Sequence, residues 1–565
     1  MKKAIILPVG IIFASTPVFA QSAIDAYRLS QPDMKGTARY MGMAGAFGAL
    51  GGDLSAISEN PGGIGVYRSS DIGLTLDIDM QKSNARSMGS STDNSQTGVL
   101  FNNIGAVLTW RLDNSVCPNL NFGFTFNRGS TFNRIYGGNI PRLDNSLSNY
   151  VAGIANGQGL TEDDLTPDRY YDPYNPSYGV APSWLAVLGY DGYLITPEVS
   201  NNKTFWTGQW GNNTSGSGSF AVEEKGSTSD FNIVFGGNIS NILFWGMNFN
   251  IVNMNYTLNS IWSENLKNAY VPDNNNNVYQ EDSNWSLDNY YHVNGTGFQY
   301  QIGVIIKPIQ ELRIGLTYHT PTWYNLTESF GATLGYNYSS PTLGTDMGSV
   351  STNDGYLGYN NICFRTPSKF IASLAGVISD KLILSFDYEL TPYSQMKYSE
   401  EGSYDYYPDY YPDYYSAKPS TKAFNSSSIF SNDPFYETNS DIKTYYKSTN
   451  TYRVGAEFRI NPYLSVRAGY SNVSSPVKVG AANDKLDIYT AGTIPNYRFD
   501  NKTDYITAGL GFKIQHFYMD LAYVYKHMES TYHAYSPDTM SNIPSPQSKL
   551  SFDNNQIVIS AGYRF

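Results

Sequence analysis

Fourteen segments of the chain alternate apolar and polar residues with a period of two. In the first, 71–80, apolar side chains fall at every second position from Ile72 to Met80. Because successive side chains of a strand point to opposite faces, each segment predicts a β-strand with one apolar face. The predicted strands are 71–80, 103–111, 119–127, 230–239, 244–257, 297–307, 311–320, 368–378, 382–391, 451–460, 464–471, 503–513, 517–526 and 555–565.

Charged residues fall on the polar face of these strands. Asp77 and Asp79 in the first strand, and Arg453 and Glu457 in the tenth, point away from the apolar stripe. The exception is Asp504, which is in phase with the apolar face near one end of its strand. A Lys or Arg that faces mid-bilayer lipid costs about 2–4 kcal/mol, so this sorting is expected if the apolar face meets lipid. The alternative is a large soluble β-protein with one solvated face.

The connections between the strands alternate between short and long. The short ones are 112–118, 240–243, 308–310, 379–381, 461–463 and 514–516, and the long ones are 81–102, 128–229, 258–296, 321–367, 392–450, 472–502 and 527–554. Short turns on one side and long loops on the other are typical of outer-membrane barrels. The pattern predicts an all-β, fourteen-stranded antiparallel transmembrane β-barrel in the outer membrane, with periplasmic termini.

Both ends of the chain favour export to that membrane. Residues 1–20 combine Lys2 and Lys3 with a short apolar run and a small-residue cleavage site before Gln21, which predicts a signal peptide. The predicted last strand finishes on Phe565, an aromatic residue suited to the membrane interface. We expect the barrel to span 67–565.

Composition excludes several other classes of protein. Charged residues make up 15% of the chain and Tyr is abundant at 48 residues, while the formal net charge is −12. An acidic chain without basic patches does not predict nucleic-acid binding. The only two cysteines are expected to lie far apart, with Cys117 in an inner turn and Cys363 in an outer loop. The five histidines show no zinc-site spacing, and no catalytic arrangement is found, so an enzyme is not expected.

Residues 21–66, between the signal peptide and the first strand, do not alternate. They contain a run rich in Gly, Ala and Met from 41 to 53, followed by 54–63. Small residues allow the backbone to pack closely against surrounding walls, and a fourteen-stranded barrel is too wide for its own side chains to fill. We expect this segment to be a hatch that plugs the lumen, and a flexible periplasmic tail is the alternative.

The chain resembles the long-chain fatty-acid transporter family, FadL/TodX. The resemblance rests on Asn60-Pro61-Gly62-Gly63, where the family has Asn-Pro-Ala-Gly, preceded by Gly51-Gly52-Asp53, and on Asp387–Ser394 and the late strands near Arg453. It implies a fourteen-stranded barrel with an internal hatch, built here from Gly51, Gly52, Asp53, Asn60, Pro61 and Gly62. The branch that looks most similar is often catalogued as hemin receptors.

The resemblance also implies passive uptake of hydrophobic small molecules such as long-chain fatty acids. Ligand would enter through the outer loops, reach a pocket over the hatch and leave through a side opening at the third strand, where Gly123 and Gly129 are the candidate residues. Lys369 and Arg453 are candidates for a carboxylate head group, and pairing with lumen Asp and Glu is their alternative role. The expected partners are a hydrophobic ligand, outer-membrane lipid and lipopolysaccharide, and the protein is expected to be a monomer.

Other roles stay open. The barrel could instead dock secreted or surface partners through its loops without transport. No cofactor is expected, although heme ligation by His527 and His533 is not excluded. In the loops, Trp184–Tyr190 predicts a short helix over the barrel mouth, and the Tyr-Tyr-Pro-Asp repeat at 404–415 predicts an extended surface segment.

Overall fold

Within the described residues, twenty-one strands form, and the main sheet closes into a ring. The structure is a computed structural model that describes residues 21–31, 33–112, 114–176, 179–200, 203–272, 278–340, 344–379, 381–400, 433–490 and 492–565. The strands are β1 Asp71–Ser87, β2 Ser90–Arg111, β3 Asn119–Thr131, β4 Arg134–Ile140, β5 Ile195–Ser200, β6 Lys203–Gly208, β7 Ser215–Ile239, β8 Leu243–Pro272, β9 Val278–Ile306, β10 Leu312–His319, β11 Trp323–Ser340, β12 Gly344–Ser351, β13 Gly358–Arg365, β14 Lys369–Ile378, β15 Leu382–Pro392, β16 Lys397–Ser399, β17 Ser448–Asn461, β18 Leu464–Val473, β19 Tyr497–Ile514, β20 Phe517–His533 and β21 Gln547–Arg564.

Short helices lie before and between these strands. They are α1 Ala23–Leu29, α2 Ala38–Gly42, α3 Ala56–Glu59, α4 Leu147–Gln158, α5 Glu162–Leu165, α6 Trp184–Asp191, α7 Tyr436–Tyr445 and α8 Val479–Ala482, with 3-10 turns at Pro61–Val66, Thr352–Gly355 and Tyr393–Gln395. Among the residues described, no helix combines the length and the apolar character needed to cross a membrane.

The ring contains fourteen antiparallel strands, as the sequence predicts. Around it, the order is β1, β2, β3, β7, β8, β9, β10, β14, β15, β17, β18, β19, β20 and β21. β21 then pairs with β1 from Asp71↔Arg564 to Arg86↔Lys549, which closes the sheet. Each ring strand corresponds to one predicted segment, with ends within one residue where the strand is the shorter of the two, so the predicted fold class is confirmed.

The apolar stripe of each strand faces outward. In β1 the side chains of Ile72, Leu74 and Leu76 are 44–50% exposed, while Thr75 and Asp77 between them are buried. Exposed apolar side chains on the outside and buried polar ones on the inside are the reverse of a soluble protein and fit a wall that faces lipid. The lumen is therefore polar.

Several strands continue far beyond the predicted segments, and the loop boundaries there were wrong. β7, β8 and β9 are 25, 30 and 29 residues long. The predicted loop 81–102 is a hairpin, because β1 and β2 stay paired up to Ser87↔Ser90. About 9–11 residues suffice to span a bilayer, so the additional length projects past it. The buried faces of the β8 and β9 extensions mix apolar residues, such as Trp262 and Leu287, with polar ones, such as Ser260 and Asn289, and this mixture weakens the alternation from which a strand is predicted.

The extensions lie at one end of the barrel, called here the long-loop end, opposite the short-turn end. There, α4 to α8 and the β5–β6 hairpin pack together over the lumen. α6 confirms the helix predicted from Trp184. The predicted signal peptide at 1–20 and the Tyr-Tyr-Pro-Asp repeat at 404–415 lie outside the described residues. Cys117 lies in the β2–β3 turn and Cys363 lies in β13, and the two are not joined by a disulfide.

Candidate functional site: a hatch in the lumen and two cavities above it

The described residues of 21–67, a segment named the hatch, lie inside the ring, and nearly all of them are buried. One apolar cluster joins Met41 and Phe47 of the hatch to Val524 of β20 and its neighbours. A smaller cluster joins Ile64 of the hatch to Val234 of β7. The hatch therefore contacts opposite walls of the lumen and plugs it.

The predicted residues Gly51, Gly52 and Asp53 reverse the chain inside the hatch. Gly51 and Gly52 have φ of +64° and +68°, a left-handed conformation that a residue with a Cβ adopts only with strain. Asp53 then accepts hydrogen bonds from the Thr37 hydroxyl at 2.8 Å and from the Ser55 amide at 2.9 Å. This carboxylate therefore holds the two halves of the hatch together.

Asn60, Pro61 and Gly62 form the next turn and place it against the wall. The Asn60 side chain accepts from the Gly62 amide at 2.9 Å and donates to the Gly48 carbonyl oxygen at 2.5 Å. Pro61 begins the 3-10 turn Pro61–Val66, where its missing N–H costs nothing. A Cβ on Gly62 would lie 2.9 Å from the carbonyl oxygen of Gly303, so only glycine fits there.

The wall beneath this turn is a row of three glycines, named the glycine row. Gly236 of β7, Gly246 of β8 and Gly303 of β9 are direct partners across adjacent strands. A Cβ on Gly246 would lie 2.5 Å from the carbonyl carbon of Pro61 and 3.1 Å from the amide nitrogen of Gly62. The hatch thus rests directly on the backbone of the barrel, an approach that requires the absence of side chains.

Ion pairs attach the hatch to the strands on the other side of the ring. The pairs are Lys35 with Asp77 of β1 at 2.7 Å and with Asp79 at 3.2 Å, Asp33 with Lys526 of β20 at 2.9 Å, Arg39 with Glu457 of β17 at 2.9 Å, and Glu59 with Arg453 of β17 at 2.8 Å. Removing one member of a buried pair typically costs about 3–5 kcal/mol because the other charge is left uncompensated. Together these pairs fix the hatch in one position.

A further buried cluster surrounds Glu224 of β7. Arg134 donates a hydrogen bond to its carboxylate at 3.3 Å, and Arg28 and Arg498 have nitrogens at 3.9 and 3.8 Å from it. Glu224 is only 2% exposed. Through Arg28, this carboxylate ties α1 to the barrel wall formed by β4, β7 and β19.

A small pocket of about 110 Å³ lies in the lumen beside the hatch. The predicted ligand residues Lys369 and Arg453 both line it. Arg453 donates to Glu59 at 2.8 Å and to Glu389 at 2.6 Å, which is the alternative role foreseen for it. The structure thus brings the two predicted residues together at one pocket, and ligand contact by either of them stays a prediction.

A much larger cavity of about 1,300 Å³ lies at the long-loop end, named the outer cavity. α4, α7 and the segments 487–490 and 536–543 contribute to its walls. Six aromatic side chains line it: Tyr150, Trp206, Trp210, Tyr270, Tyr436 and Tyr489. Ligand pockets commonly measure about 300–1,000 Å³ and are rich in aromatic side chains, so this cavity can accommodate a small organic molecule.

α1 separates the outer cavity from the small pocket. Gln21 and Ala23 line the outer cavity, whereas Tyr27, one turn further along, lines the small pocket. The Tyr27 ring packs on those of Tyr446 and Tyr393, with centroids 5.2 and 5.3 Å away. The first helix of the hatch is therefore the floor of one cavity and the roof of the other.

The two glycines predicted for a side opening differ in their surroundings. Gly123 of β3 pairs with both β2 and β7. A Cβ added to Gly123 would point at Ile64 of the hatch. Gly129 lies at a bulge, where the register of β3 against β7 shifts between Arg128 and Ser130. The β2–β3 ladder ends before this bulge, at Asn103↔Asn127. Beyond that pair, the described part of β2 is bonded only to β1.

The two histidines considered for heme are not arranged around a common space in the lumen. His527 lies on the outward-facing side of β20 and donates a hydrogen bond from Nδ1 to the Asp553 carboxylate at 2.8 Å. His533 is fully buried, and its ring is stacked on Tyr497 with centroids 4.7 Å apart. The aromatic packing around His533 leaves it no open coordination position, so these residues do not fit a heme site.

Sequence reasoning did not identify Glu224 or the aromatic residues of the outer cavity. They lie in 128–229 and other long connections, where no periodic pattern marks them. The density of Trp and Tyr between 184 and 210 is the one sequence signal that distinguishes part of this lining.

Comparison with known proteins gives a family match over most of the chain. The model of the family described as outer membrane protein transport protein (OMPP1/FadL/TodX) matches residues 204–565. No curated protein matches. Among solved structures, a FadL homologue of Pseudomonas aeruginosa is similar at 12% identity, over 94% of this chain and 99% of its own, with a TM-score of 0.49. The toluene transporter TodX of P. putida is similar at 12% identity, over 94% and 99%, with a TM-score of 0.45.

Proposed function

From the premise that this chain belongs to the OMPP1/FadL/TodX family of outer membrane transport proteins, we propose that it admits hydrophobic small molecules passively through the outer membrane. The long-loop end would face the exterior, and both termini would be periplasmic. Nothing in the route requires energy coupling, because a solute with an apolar body that passes from water through the cavity into the bilayer moves down its own free-energy gradient.

The outer cavity is the observation that carries this proposal. It is large enough for a small organic ligand, it lies above the lumen, and its floor is the first helix of the hatch. A ligand that displaced Gln21 or Ala23 would act directly on α1. The hatch could then open a passage without leaving the barrel, because the ion pairs that attach it to the strands involve hatch residues that follow α1 in the chain.

We place the exit between β2 and β3. The ladder between these strands ends at Asn103↔Asn127, and Gly129 lies just beyond it at a bulge. Bulges change the direction of a strand and interrupt its pairing. Opening the wall at this point should therefore break few hydrogen bonds. Ion pairs hold the hatch to β1, β17 and β20, whereas its contacts with β3 are hydrogen bonds such as those of Asn127 with Ser58 and of Ser130 with Gln31.

The first test is to fill the outer cavity. Gly153 of α4 lines it, and a Cβ at this position would have no atom within 4 Å, so Gly153→Trp introduces an indole ring with no clash at its Cβ. We expect uptake of a radiolabelled hydrophobic compound by cells to fall towards the level of a deletion strain, while the amount of folded barrel stays unchanged. The matched control is Asp163→Trp on the exposed helix α5, which places the same ring outside the cavity.

The second test removes the bulge. Deleting Gly129 should allow β3 to pair in regular register and close the exit, so uptake should fall while ligand binding in the outer cavity persists. The control deletes Ile460, at the bulge between Arg459 and Asn461 of β17, on a different part of the ring. Equal uptake by the Gly129 deletion and the unaltered protein would refute the exit.

The same assays separate uptake from the alternative of a docking barrel. If cells lacking the protein import hydrophobic compounds normally and the purified protein binds none, transport is wrong. A protein retained specifically on the long-loop end would then support docking.

A further inference from the structure

The lining of the outer cavity is strongly biased in charge. Six carboxylates line it: Asp144, Glu198, Glu437, Asp441, Asp487 and Asp538. Among the described residues, its lining includes no Lys, Arg or His, and the α-amino group that cleavage before Gln21 would create there offsets at most one of the six carboxylates. Arg142, outside the lining, lies 3.6 Å from Asp144, and both side chains are largely exposed, so this pair neutralises little of the total. A concave surface lined by one sign of charge concentrates ligands of the opposite sign.

The carboxylates are concentrated on the side of the cavity formed by α7. Glu437 and Asp441 are one turn apart on this helix, a spacing at which like charges repel. Burial and the neighbouring Glu437 raise the pKa of Asp441 to about 7. Asp487, on the adjacent segment, also lines the cavity and accepts a hydrogen bond from the Thr539 hydroxyl at 2.9 Å. A positive group in the cavity would relieve the repulsion between these acids.

The aromatic residues of the cavity suit the same kind of ligand. Tyr436 precedes Glu437 on α7, and Tyr489 follows Asp487, so rings and carboxylates share the same wall. Cations bind the faces of Trp and Tyr rings, and aromatic cages recognise alkylated ammonium groups. Trp206 and Trp210 supply apolar surface on the part of the lining beyond α4.

The small pocket below α1 is nearly balanced in charge, because the carboxylates of Asp33, Glu59, Glu389 and Asp500 line it beside its basic residues. Five of its residues are basic, namely Arg134, Lys369, Arg453, Lys502 and Lys526, and they are interspersed with carboxylates. An anionic ligand would have to pass the acidic outer cavity before it met any of these cations. The order of the two charge environments therefore disfavours entry of a carboxylate.

We propose that the outer cavity selects organic cations with an apolar body, such as alkyl amines and quaternary ammonium amphiphiles, over fatty-acid anions. This inference rests on the proposed function, because it assumes that the outer cavity is where ligand enters. It identifies the chemical class of ligand, with the carboxylates neutralising the head group and the aromatic rings contacting both head and chain.

The test uses three probes with the same twelve-carbon chain: dodecyltrimethylammonium, dodecanol and dodecanoate. Binding to the full protein in phosphatidylcholine nanodiscs is measured at pH 8 and low salt, below micelle-forming concentrations, with empty nanodiscs subtracted. We expect the ammonium compound to bind about tenfold more tightly than dodecanol, and dodecanoate to bind least. The double variant Glu437→Gln and Asp441→Asn should lose about that factor for the cation only.

The matched control is Asp163→Asn, which removes an acid from the exposed helix α5 outside the lining. It should leave the affinities for all three probes unchanged. Dodecanoate binding as tightly as the cation, or a cation affinity unaffected by the double variant, overturns the selectivity and leaves uptake standing. If none of the three probes binds, both the selectivity for cations and the proposed function are wrong. The two failures are therefore distinguishable in one experiment.

Discussion

Replacing Gly246 with alanine is expected to displace the hatch from the barrel wall. The new Cβ would lie 2.5 Å from the carbonyl carbon of Pro61, a contact that rigid backbone on both sides cannot relieve. Overpacking of this kind costs about 1–3 kcal/mol, and here it acts on the element that closes the lumen. We expect increased ion conductance across planar bilayers and faster proteolysis within 21–67.

Gly376→Ala is the control for this experiment. Gly376 is also a glycine of a ring strand, β14, but a Cβ there would have no atom within 4 Å. It should leave both conductance and proteolysis unchanged. A Gly246→Ala protein as tightly closed as the Gly376→Ala protein would show that the glycine row is not required for seating the hatch.

Replacing Glu224 with glutamine is expected to destabilise the long-loop end of the hatch. Three arginines would then surround an uncharged side chain. Arg28 would still pair with Asp25, and Arg498 with Asp500. Loss of one partner from a buried ion cluster costs about 3–5 kcal/mol. We expect a lower midpoint of urea unfolding in detergent and earlier proteolytic cleavage near α1.

Glu223→Gln is the matched control, because it removes the same charge from the neighbouring residue on the opposite face of β7. Glu223 pairs with Lys225 at 2.7 Å, and both side chains are substantially exposed. Such a surface pair contributes about 0–1 kcal/mol. Equal unfolding midpoints for the two variants would mean that the Glu224 cluster does not hold α1.

The ring of strands could be predicted because lipid and lumen act as different solvents on the two faces of every strand. Within a single short segment, the lipid-facing side carries Ile72, Leu74 and Leu76, and the lumen-facing side carries Thr75 and Asp77. The hatch could be predicted for a related reason, since a run as small and apolar as 41–53 needs a wall to pack against. Both inferences depend on local composition alone.

The attachments and cavities could not be predicted in this way. The pair Lys35–Asp77 joins residues whose proximity depends on the closed ring, and Glu224 meets arginines from three different elements. The aromatic residues of the outer cavity belong to connections without periodicity. The extensions of β7, β8 and β9 are held by ladder hydrogen bonds, which any side chain except that of proline permits, and by buried side chains such as Trp262 and Leu287 that pack on residues distant in the sequence.

The glycine row and the seam of the ring together constrain how the protein is assembled. β21 pairs with β1 along the seam, and Lys35 of the hatch contacts Asp77 on one side of it and Gln556 on the other. The hatch contacts β8 and β9 backbone to backbone, so no gap separates it from the wall. It therefore cannot be inserted into a ring that has already closed. The leading segment must therefore be enclosed as the last strand meets the first, so that insertion into the bilayer and sealing of the pore become a single step.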